Sequence, residues 1–489
     1  MSVSSQPSDQ NDAAPPTWGE LLAGRNFVRN AVLAGSTALH ATNVFIVATL
    51  LPSVVRDIGG LHLYAWNTTL FVVASVIGSA TAAQLLQAAR PRNAYVLATL
   101  VFALGGMLCT VAPSMPVMLA GRLIQGLGGG WLVALAYGMI RLLFRPALWP
   151  RAMGVVSAMW GIATLIGPAI GGVFAHYHVW RGGFGLTLGL SLCFAVLAAV
   201  TLPKEGDASL TRTAPLPRLQ LGILTGAVMA VSGASIVGTL WGEAMGVGLG
   251  LGLLAWLAWR EKQSNTARLL PRGALDPQGP FGKRYIVMAL LVASITPELY
   301  VPYFLQVLDG MTPLGAGYLT TAMSAGWSWG SMAASGWDGR RATLAVLSGP
   351  AFQLLGLLTL TLFFPLLVET GVWARWPVGL GLFAMGLGIG VCWPHLLSAV
   401  IRHAPEGEEN VTATSVTTVE LTAVAFASAF AGLIVNLSGI DDEPLVPSAQ
   451  NASAWLCGLF ALAPVLGIYF SARLIRSKQR EAQLAHAAE

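Results

Sequence analysis

The sequence contains little charge and little cysteine. Only 10% of its 489 residues are charged, whereas 55% are hydrophobic; an average soluble domain has about 25% charged residues. The four cysteines lie in apolar stretches without metal-ligand spacing, and we interpret them as small buried side chains. This composition excludes an ordinary soluble domain and a disulfide scaffold, and the spacing gives no metal site.

Sequence signatures of common catalytic sites are also missing. The chain has no G-x-x-x-x-G-K-[ST] phosphate loop, no H-E-x-x-H and no paired C-x-x-C, and its one G-x-S-x-G match, Gly326–Gly330, lies inside an apolar stretch rather than at a strand-to-helix turn. The sequence therefore predicts no enzyme, no cofactor and no direct use of ATP. The net charge of +5 comes from short basic clusters beside apolar stretches, where anionic lipid head groups are the expected partners rather than nucleic acid.

Long apolar stretches dominate what is present. A bilayer core of about 30 Å requires about 20 helical residues. Fourteen stretches approach or reach that length and predict an all-α polytopic membrane protein: residues 29–51, 64–86, 94–112, 116–140, 151–175, 183–202, 219–240, 243–259, 284–307, 313–336, 342–364, 374–399, 411–436 and 453–475.

The basic residues are distributed asymmetrically between the loops of this arrangement. Of the 27 Lys and Arg residues, only Arg56, Arg181 and Arg375 fall on the side away from the termini, and Arg122 lies within a stretch. All others share the side of both termini. Because cationic loops resist translocation, this distribution predicts that both termini are cytoplasmic.

The polar segments divide the chain into five regions. Residues 1–28 are predicted to be disordered, with an amphipathic stretch near their end. Residues 29–202 and 284–475 form two six-helix halves, and residues 203–283 hold a linker, two extra spans and a cytoplasmic loop. Residues 476–489 form a cytoplasmic tail. Two six-span halves around a central path are typical of secondary transporters.

Two glycine-rich motifs stand in the first half. The fourth stretch contains Arg122 within Leu-Ala-Gly-Arg-Leu-Ile-Gln-Gly-Leu-Gly, which includes Gly126. A charged residue inside a span is expensive unless it is paired, hydrated or functional. The fifth stretch carries a motif of small and helix-bending residues: Gly161, Gly167, Pro168, Gly171 and Gly172.

In these motifs the chain resembles the major facilitator superfamily, and within it the fourteen-span drug:proton antiporter branch of the EmrB/QacA type. The segment around Arg122 is similar to that family's R-x-x-Q-G-x-G motif, and Gly161–Gly172 is similar to its antiporter motif G-x(5)-G-P-x-x-G-G. The resemblance extends over nearly the whole chain. It implies alternating access between the two halves, with the motif glycines and Pro168 at the moving contacts.

The chain departs from the family pattern at two positions. Asn43 stands where the family usually has an acidic residue in the first span, and Gln87 replaces the Asp of the loop between spans 2 and 3. The corresponding loop of the second half retains Asp338, followed by Arg340. The family's usual proton site in the first span is therefore not expected here.

A proton-coupled carrier requires a group that changes charge inside the membrane. Glu298 and Glu420 are the carboxylates well inside the predicted spans, and burial favours their neutral form. We predict that both take part in proton coupling, together with Arg122. His40 lies on the same helix face as Asn43 and is a further candidate. Structural pairing of each group is the alternative.

Several polar and aromatic residues are predicted to contact the transported compound. Aromatic rings can stack on a flat organic molecule or hold a cation, although packing against neighbours explains any single ring equally well. The predicted substrate-binding residues are Asn43, Tyr300, Tyr303, Gln306, Trp160 and Trp393.

The resemblance implies a proton-coupled exporter of amphipathic organic compounds in the bacterial inner membrane. Its predicted partners are the small-molecule substrate, protons and membrane lipid, and participation of a periplasmic adaptor stays open. An exporter or symporter of one metabolite or siderophore is the alternative on the same scaffold. A membrane enzyme or a non-transporting sensor is a more remote alternative.

Overall fold

The structure is a computed structural model that describes residues 18–145, 148–203, 217–234, 236–237, 239–263, 268–334, 337, 339–405, 408–440 and 445–488. The secondary structure of these residues is helical. The helices are α1 (Trp18–Leu21), α2 (Gly24–Ile58), α3 (Tyr64–Thr110), α4 (Met115–Leu143), α5 (Trp149–His176), α6 (Trp180–Thr201), α7 (Arg218–Ala234), α8 (Leu240–Gln263), α9 (Pro280–Ile295), α10 (Val301–Leu308), α11 (Pro313–Ala334), α12 (Gly339–Thr370), α13 (Val372–Arg402), α14 (Glu409–Leu437), α15 (Leu445–Phe460) and α16 (Leu462–Ala488). Short 3-10 helices occupy Leu61–Leu63 and Thr296–Tyr300.

Many of these helices are suited to a bilayer. Among the described residues, 11 helical stretches are long and apolar enough to cross a membrane. The all-helical, multi-pass architecture predicted from the sequence is thereby confirmed. Several boundaries differ from the prediction. Helix α2 extends from Gly24 to Ile58 rather than from 29 to 51, and the last predicted span, 453–475, is divided between α15, which begins at Leu445, and α16, which continues to Ala488. The predicted disordered residues 1–17 lie outside the described residues.

Helix α3 turns back on itself at Arg90. This residue has φ 65° and ψ 161°, which is incompatible with a helix, and Pro91 follows it. Gly78 packs against Leu127 and Gly105 against Gln125, so residues from both sides of the break contact one segment of α4. The part of α3 before Arg90 and the part after it therefore lie side by side along α4.

Tracing the helices gives the bundle two faces. We call the end where α2 begins and α4 ends the terminal face, and the other end the opposite face. At the terminal face, Arg145 donates a hydrogen bond of 2.7 Å to Glu20, which fastens α1 to the end of α4. At the opposite face, Asp57 accepts bonds from Arg181 at 2.6 Å and from Trp180 at 3.0 Å, which joins α2 to α6.

The two halves repeat one packing arrangement built on glycine. In α4, Gly126 lies against the backbone oxygen of Phe71, and Gly130 against that of Ser75. In α13, Gly386 lies against the oxygen of Met323 in the same way, and Gly390 against that of Trp327. Because a side chain at any of these positions would occupy the neighbouring backbone, glycine allows the close helix approach.

We predict that Gly126→Val and Gly386→Val each destabilise the protein. Either valine would collide with a carbonyl oxygen of the neighbouring helix, and overpacking of this kind costs about 1–3 kcal/mol. Thermal unfolding of purified protein in detergent measures the effect. Gly138→Ala is the control, because nothing lies within 4 Å of a Cβ at Gly138 in α4. An unchanged unfolding temperature in both valine variants would contradict the repeated packing.

Contacts near the opposite face join the two halves. A Cβ on Gly172 of α5 would lie 2.6 Å from the Cα of Leu314 in α11. A Cβ on Gly432 of α14 would lie 2.7 Å from the Cβ of Ala65 in α3, and the Asn436 amide donates a 2.8 Å bond to the oxygen of His62. The halves are therefore closely packed at this face.

Helices α7 and α8 pack beside the seam between the halves. Leu224 and Val228 of α7 lie next to Val73 and Val76 of α3 and to Ala425 of α14. In the apolar window of α8, only 6% of the residues are buried inside the protein. This exposed apolar surface fits contact with lipid hydrocarbon.

Candidate functional site

Arg122 is the centre of a buried polar cluster in the first half. Its side chain is 2% exposed. Its Nη1 donates to Asn43 Oδ1 at 2.7 Å and to Gln125 Oε1 at 2.6 Å, and its Nε donates to the backbone oxygen of Asn67 at 3.4 Å. The guanidinium carbon lies 3.9 Å from the centre of the Phe71 ring. Helices α2, α3 and α4 thus converge on one cation.

Several polar atoms around this cation have no hydrogen-bond partner. They are Asn43 Nδ2, Gln125 Nε2 and both amide atoms of Asn67. The three amide side chains are each 0% exposed. Leaving such groups unpaired costs about 1–3 kcal/mol for each, so the cluster is poised for an additional polar group.

Within the part of the chain that the structure describes, no carboxylate forms an ion pair with Arg122. The single acid between residues 29 and 202 is Asp57, which binds Arg181 at the opposite face. The structural alternative for Arg122 is an ion pair or a bond to backbone oxygen. Among the described residues the structure shows the bond to the backbone oxygen of Asn67 and no ion pair, and the other partners are neutral amides and an aromatic ring.

His40 connects this cluster with the surface of α5. Its ring stacks on Phe71, with the centroids 5.3 Å apart, and meets the edge of Trp160 at 5.9 Å. His40 is 6% exposed and its Nδ1 has no partner, whereas Trp160 is 37% exposed. The predicted residues His40, Asn43, Arg122 and Trp160 therefore lie together.

Glu298 lies in a break of helical structure in the second half. It belongs to the 3-10 helix Thr296–Tyr300 between α9 and α10, with Pro297 and Pro302 on either side. The Glu298 carboxylate is partly buried and forms no hydrogen bond or ion pair with the described residues. A 3-10 segment inside an apolar stretch frequently marks a hinge.

Glu420 lies on α14, also without a polar partner among the described residues. Tyr285 of α9 and Ser415 of α14 are at one level, because their hydroxyls are 2.6 Å apart. A rise of about 1.5 Å per residue from this level places Glu298 about 12 Å farther along the bundle axis than Glu420. The structure does not bring the two acids, or Arg122, into contact.

Tyr300 and Tyr303 form an aromatic group between the halves. Tyr64 of α3 stacks on Tyr300 at 4.7 Å and meets Tyr303 edge-on at 5.8 Å. Tyr64 is 0% exposed, Tyr300 1% and Tyr303 5%. The three rings form a buried contact between the halves near the opposite face, and contact of Tyr300 and Tyr303 with a substrate stays a prediction.

The other predicted residues occupy three environments. Gln306 of α10 is 5% exposed and both of its amide atoms lack a partner. Trp393 packs against a buried apolar cluster of α9 and α13. Arg340 is exposed at the start of α12. Asp338 lies outside the described residues.

Three motif glycines of α5 pack closely against neighbouring helices, and the fourth, Gly161, does not. Gly167 and Gly171 pack against α2, whose Ile46 oxygen would lie 2.8 Å from a Cβ on Gly171. Gly172 contacts α11, and a Cβ on Gly317 of α11 would lie 3.2 Å from Pro168. Nothing lies within 4 Å of a Cβ at Gly161.

The sequence interpretation did not include Asn67, Phe71 and the glycines of α13 in the site or its packing. Asn67 interrupts an apolar stretch, which is a detectable signal of a buried polar role. The pattern Gly-Leu-Gly-x-Gly occurs at Gly126–Gly130, at Gly248–Gly252 and at Gly386–Gly390. Nothing lies within 4 Å of a Cβ at Gly248 or Gly252, so the pattern alone does not identify the repeated packing of the other two segments. Phe71 gave no signal, because a phenylalanine in a span is ordinary.

Known proteins resemble this chain over most of its length. A protein of Mycobacterium tuberculosis (strain ATCC 25618 / H37Rv) named "Probable multidrug-efflux transporter" is 36% identical over 437 residues, which cover 86% of this chain and 90% of that protein. The acurin A biosynthesis cluster MFS-type transporter of Aspergillus aculeatus is 27% identical over 432 residues, 82% of this chain and 72% of that protein.

Solved transporter structures share the fold. The POT family transporter PepTSo superposes with a TM-score of 0.64 at 14% identity, covering 95% of this chain and 99% of that one. A bacterial homolog of the human lysosomal transporter Spinster, in an inward-facing and unoccupied conformation, gives 0.64 at 13% identity, covering 93% and 97%. The family model described as "Major Facilitator Superfamily" matches residues 33–432. With the motifs and the helical fold, this match shows that the chain is a transporter that belongs to the Major Facilitator Superfamily.

Proposed function

We propose that this transporter is a proton-coupled exporter of amphipathic organic compounds that works by alternating access. It has fourteen spans of the EmrB/QacA type, lies in the bacterial inner membrane and keeps both termini in the cytoplasm. The observation that carries the proposal is the pair of unpartnered carboxylates, Glu298 and Glu420, inside a helical transporter closed at one face.

The proposal of fourteen spans is supported by the 11 long apolar stretches together with three further crossings. The reversal at Arg90 makes two crossings of α3, since its 47 residues would otherwise extend about 70 Å, more than twice the hydrocarbon core. Helix α7 packs between α3 and α14 despite its 17 residues, and α11 packs against α5 and α13. The basic loops then share the terminal face, which supports a cytoplasmic location of that face.

Unpartnered carboxylates support proton coupling. A carboxylate removed from water without a cation is penalised as an ion but not as a neutral acid. Closure of the surrounding cavity to water therefore favours proton binding by Glu298 and by Glu420. A proton that binds one conformation more tightly than the other shifts the equilibrium between them.

The packing between the halves supports the direction of export. The contacts of α5 with α11, and those of α3 with α14, lie toward the opposite face. Toward the terminal face, Gly161 borders open space and Trp160 is partly exposed. A compound from the cytoplasm would enter at the terminal face, and rocking of the halves would release it at the opposite face.

The relatives named as multidrug-efflux transporters support drug export. Narrow specificity is the second candidate, and the specific observation in its favour is Asn43. Replacement of an acid by an amide at the centre of the first half changes which charge the site accepts.

Transport into proteoliposomes tests the proposal. Inside-out vesicles with an acidic interior should concentrate a fluorescent amphipathic compound, and a protonophore should stop the uptake. Protein-free vesicles are the control. Uptake that ignores both the pH gradient and the protonophore would overturn proton coupling, and absence of any solute movement under every gradient would overturn export.

A further inference from the structure

The Arg122 cluster carries one positive charge and more unpaired hydrogen-bond donors than unpaired acceptors. Asn43 and Gln125 turn their oxygens toward the guanidinium, so their NH₂ groups point elsewhere and have no partner. Asn67, whose backbone oxygen accepts a bond from Arg122, adds a further unpaired NH₂ group and an unpaired Oδ1. All four side chains are at most 2% exposed. This is a built polar site, and the group that it lacks is an anion.

The chain itself does not provide that anion among its described residues. Asp57 is held at the opposite face by Arg181 and Trp180, and no described acid lies within ion-pair distance of Arg122. A buried arginine costs several kcal/mol when uncompensated. The compensating charge would therefore come from a bound molecule.

The surroundings favour a carboxylate attached to an apolar, aromatic body. The planar guanidinium matches the two oxygens of a carboxylate, and the free amide N–H groups supply further donors. Phe71 covers Arg122, His40 stacks on Phe71, and Trp160 extends this aromatic row to a partly exposed position. A flat ring lying along this row would place its carboxylate at Arg122.

We propose that Arg122, Asn43, Asn67 and Gln125 bind the carboxylate of an aromatic organic anion, which is the cargo of this transporter. The cargo role rests on the proposed export function, whereas the binding step does not. Asn43 is then the residue that determines specificity, because the carboxylate of an acidic side chain at this position would itself pair with Arg122 and exclude the carboxylate of the cargo.

Binding of 1-naphthoate to the purified protein in detergent tests the site. Quenching of tryptophan fluorescence should report binding, since Trp160 borders the site, and uncharged 1-naphthamide should bind at least about tenfold more weakly, as expected for loss of a charge-assisted contact. Asn43→Asp should weaken naphthoate binding by a similar factor while leaving the unfolding temperature without ligand unchanged or higher. Equal binding of naphthoate and naphthamide would overturn the proposal.

Asn93→Asp is the matched control, because it adds the same charge at an exposed position of α3. It should bind naphthoate as the wild type does. Equal loss in both variants would attribute the effect to general charge and overturn the site. A titration with chloride distinguishes a small inorganic anion: saturable chloride binding with no response to naphthoate would overturn the carboxylate assignment.

Transport assays separate this inference from the proposed function. If naphthoate binds through Asn43 and Arg122 but a proton gradient moves neither naphthoate nor the fluorescent amphipathic compound, the export function fails and the binding site stands. If proton-driven uptake of a cationic or neutral dye persists while naphthoate neither binds nor competes, the anion site fails and the export function stands.

Discussion

Glu298→Gln is expected to lose pH-driven transport, by about 100-fold or more, while solute exchange without a gradient continues. Glutamine retains the size and the polarity of the side chain but cannot change charge. A proton then no longer distinguishes the two conformations, and a ligand without differential affinity shifts nothing. The measurement is uptake into proteoliposomes with and without an imposed pH gradient.

Glu369→Gln provides the control, because Glu369 is exposed near the end of α12 in the same half. It should transport as the wild type does. Retention of full pH-driven uptake by Glu298→Gln would remove this residue from proton coupling. Loss of both exchange and gradient-driven uptake would instead indicate a structural role for Glu298.

The position of Glu298 explains why its effect should exceed that of Glu420. Glu298 lies in the 3-10 helix, where the backbone of the first span of the second half is interrupted, and Tyr300 in the same segment stacks on Tyr64 of the other half. A charge change at Glu298 would therefore occur two residues from this contact between the halves. Glu420 lies within the regular helix α14 and about 12 Å nearer the terminal face.

Much of the architecture could be predicted from the sequence, because a helix that crosses a membrane requires a long stretch of apolar residues. Every described helix from α2 onward corresponds to one or two of the apolar stretches, and the loops that join them hold the basic clusters. The grouping of Arg122 with Asn43 was not predicted, although both residues were singled out. Sequence motifs identify residues, but the approach of α2 to α4 depends on packing.

The site could be predicted less well, and Tyr300 shows why. Its aromatic ring inside a predicted span indicated substrate contact, but the ring is 1% exposed in the contact between the halves. A transporter passes through several conformations, and one sequence encodes all of them. A residue that closes the passage in one state can line it in another, so the role of Tyr300 depends on the state that is observed.

The contact between Gly172 and Leu314 gives the second large expected effect. A Cβ at Gly172 would lie 2.6 Å from the Cα of Leu314, which belongs to the other half. Gly172→Val should therefore penalise the conformation closed at the opposite face by about 1–3 kcal/mol, as overpacking does. This corresponds to a shift of about 5- to 150-fold in the equilibrium between the conformations.

Distances between spin labels at Tyr177 and Trp373 measure that shift. Both residues are exposed at the opposite face, one in each half, and exposed Cys193 is first replaced by Ser so that labelling stays specific. Gly172→Val should lengthen the distance. Gly161→Val is the control in the same motif, since a side chain there meets no neighbour within 4 Å, and it should leave the distance unchanged.

The two variants separate a gate from a simple packing contact. If Gly172→Val lowers the unfolding temperature as Gly386→Val is expected to do, without a change in the label distance, the contact stabilises the fold and does not control access. If the distance lengthens and the unfolding temperature is retained, the glycine is required in one conformation only. The second outcome is expected, because Gly172 packs between the halves whereas Gly386 packs within one.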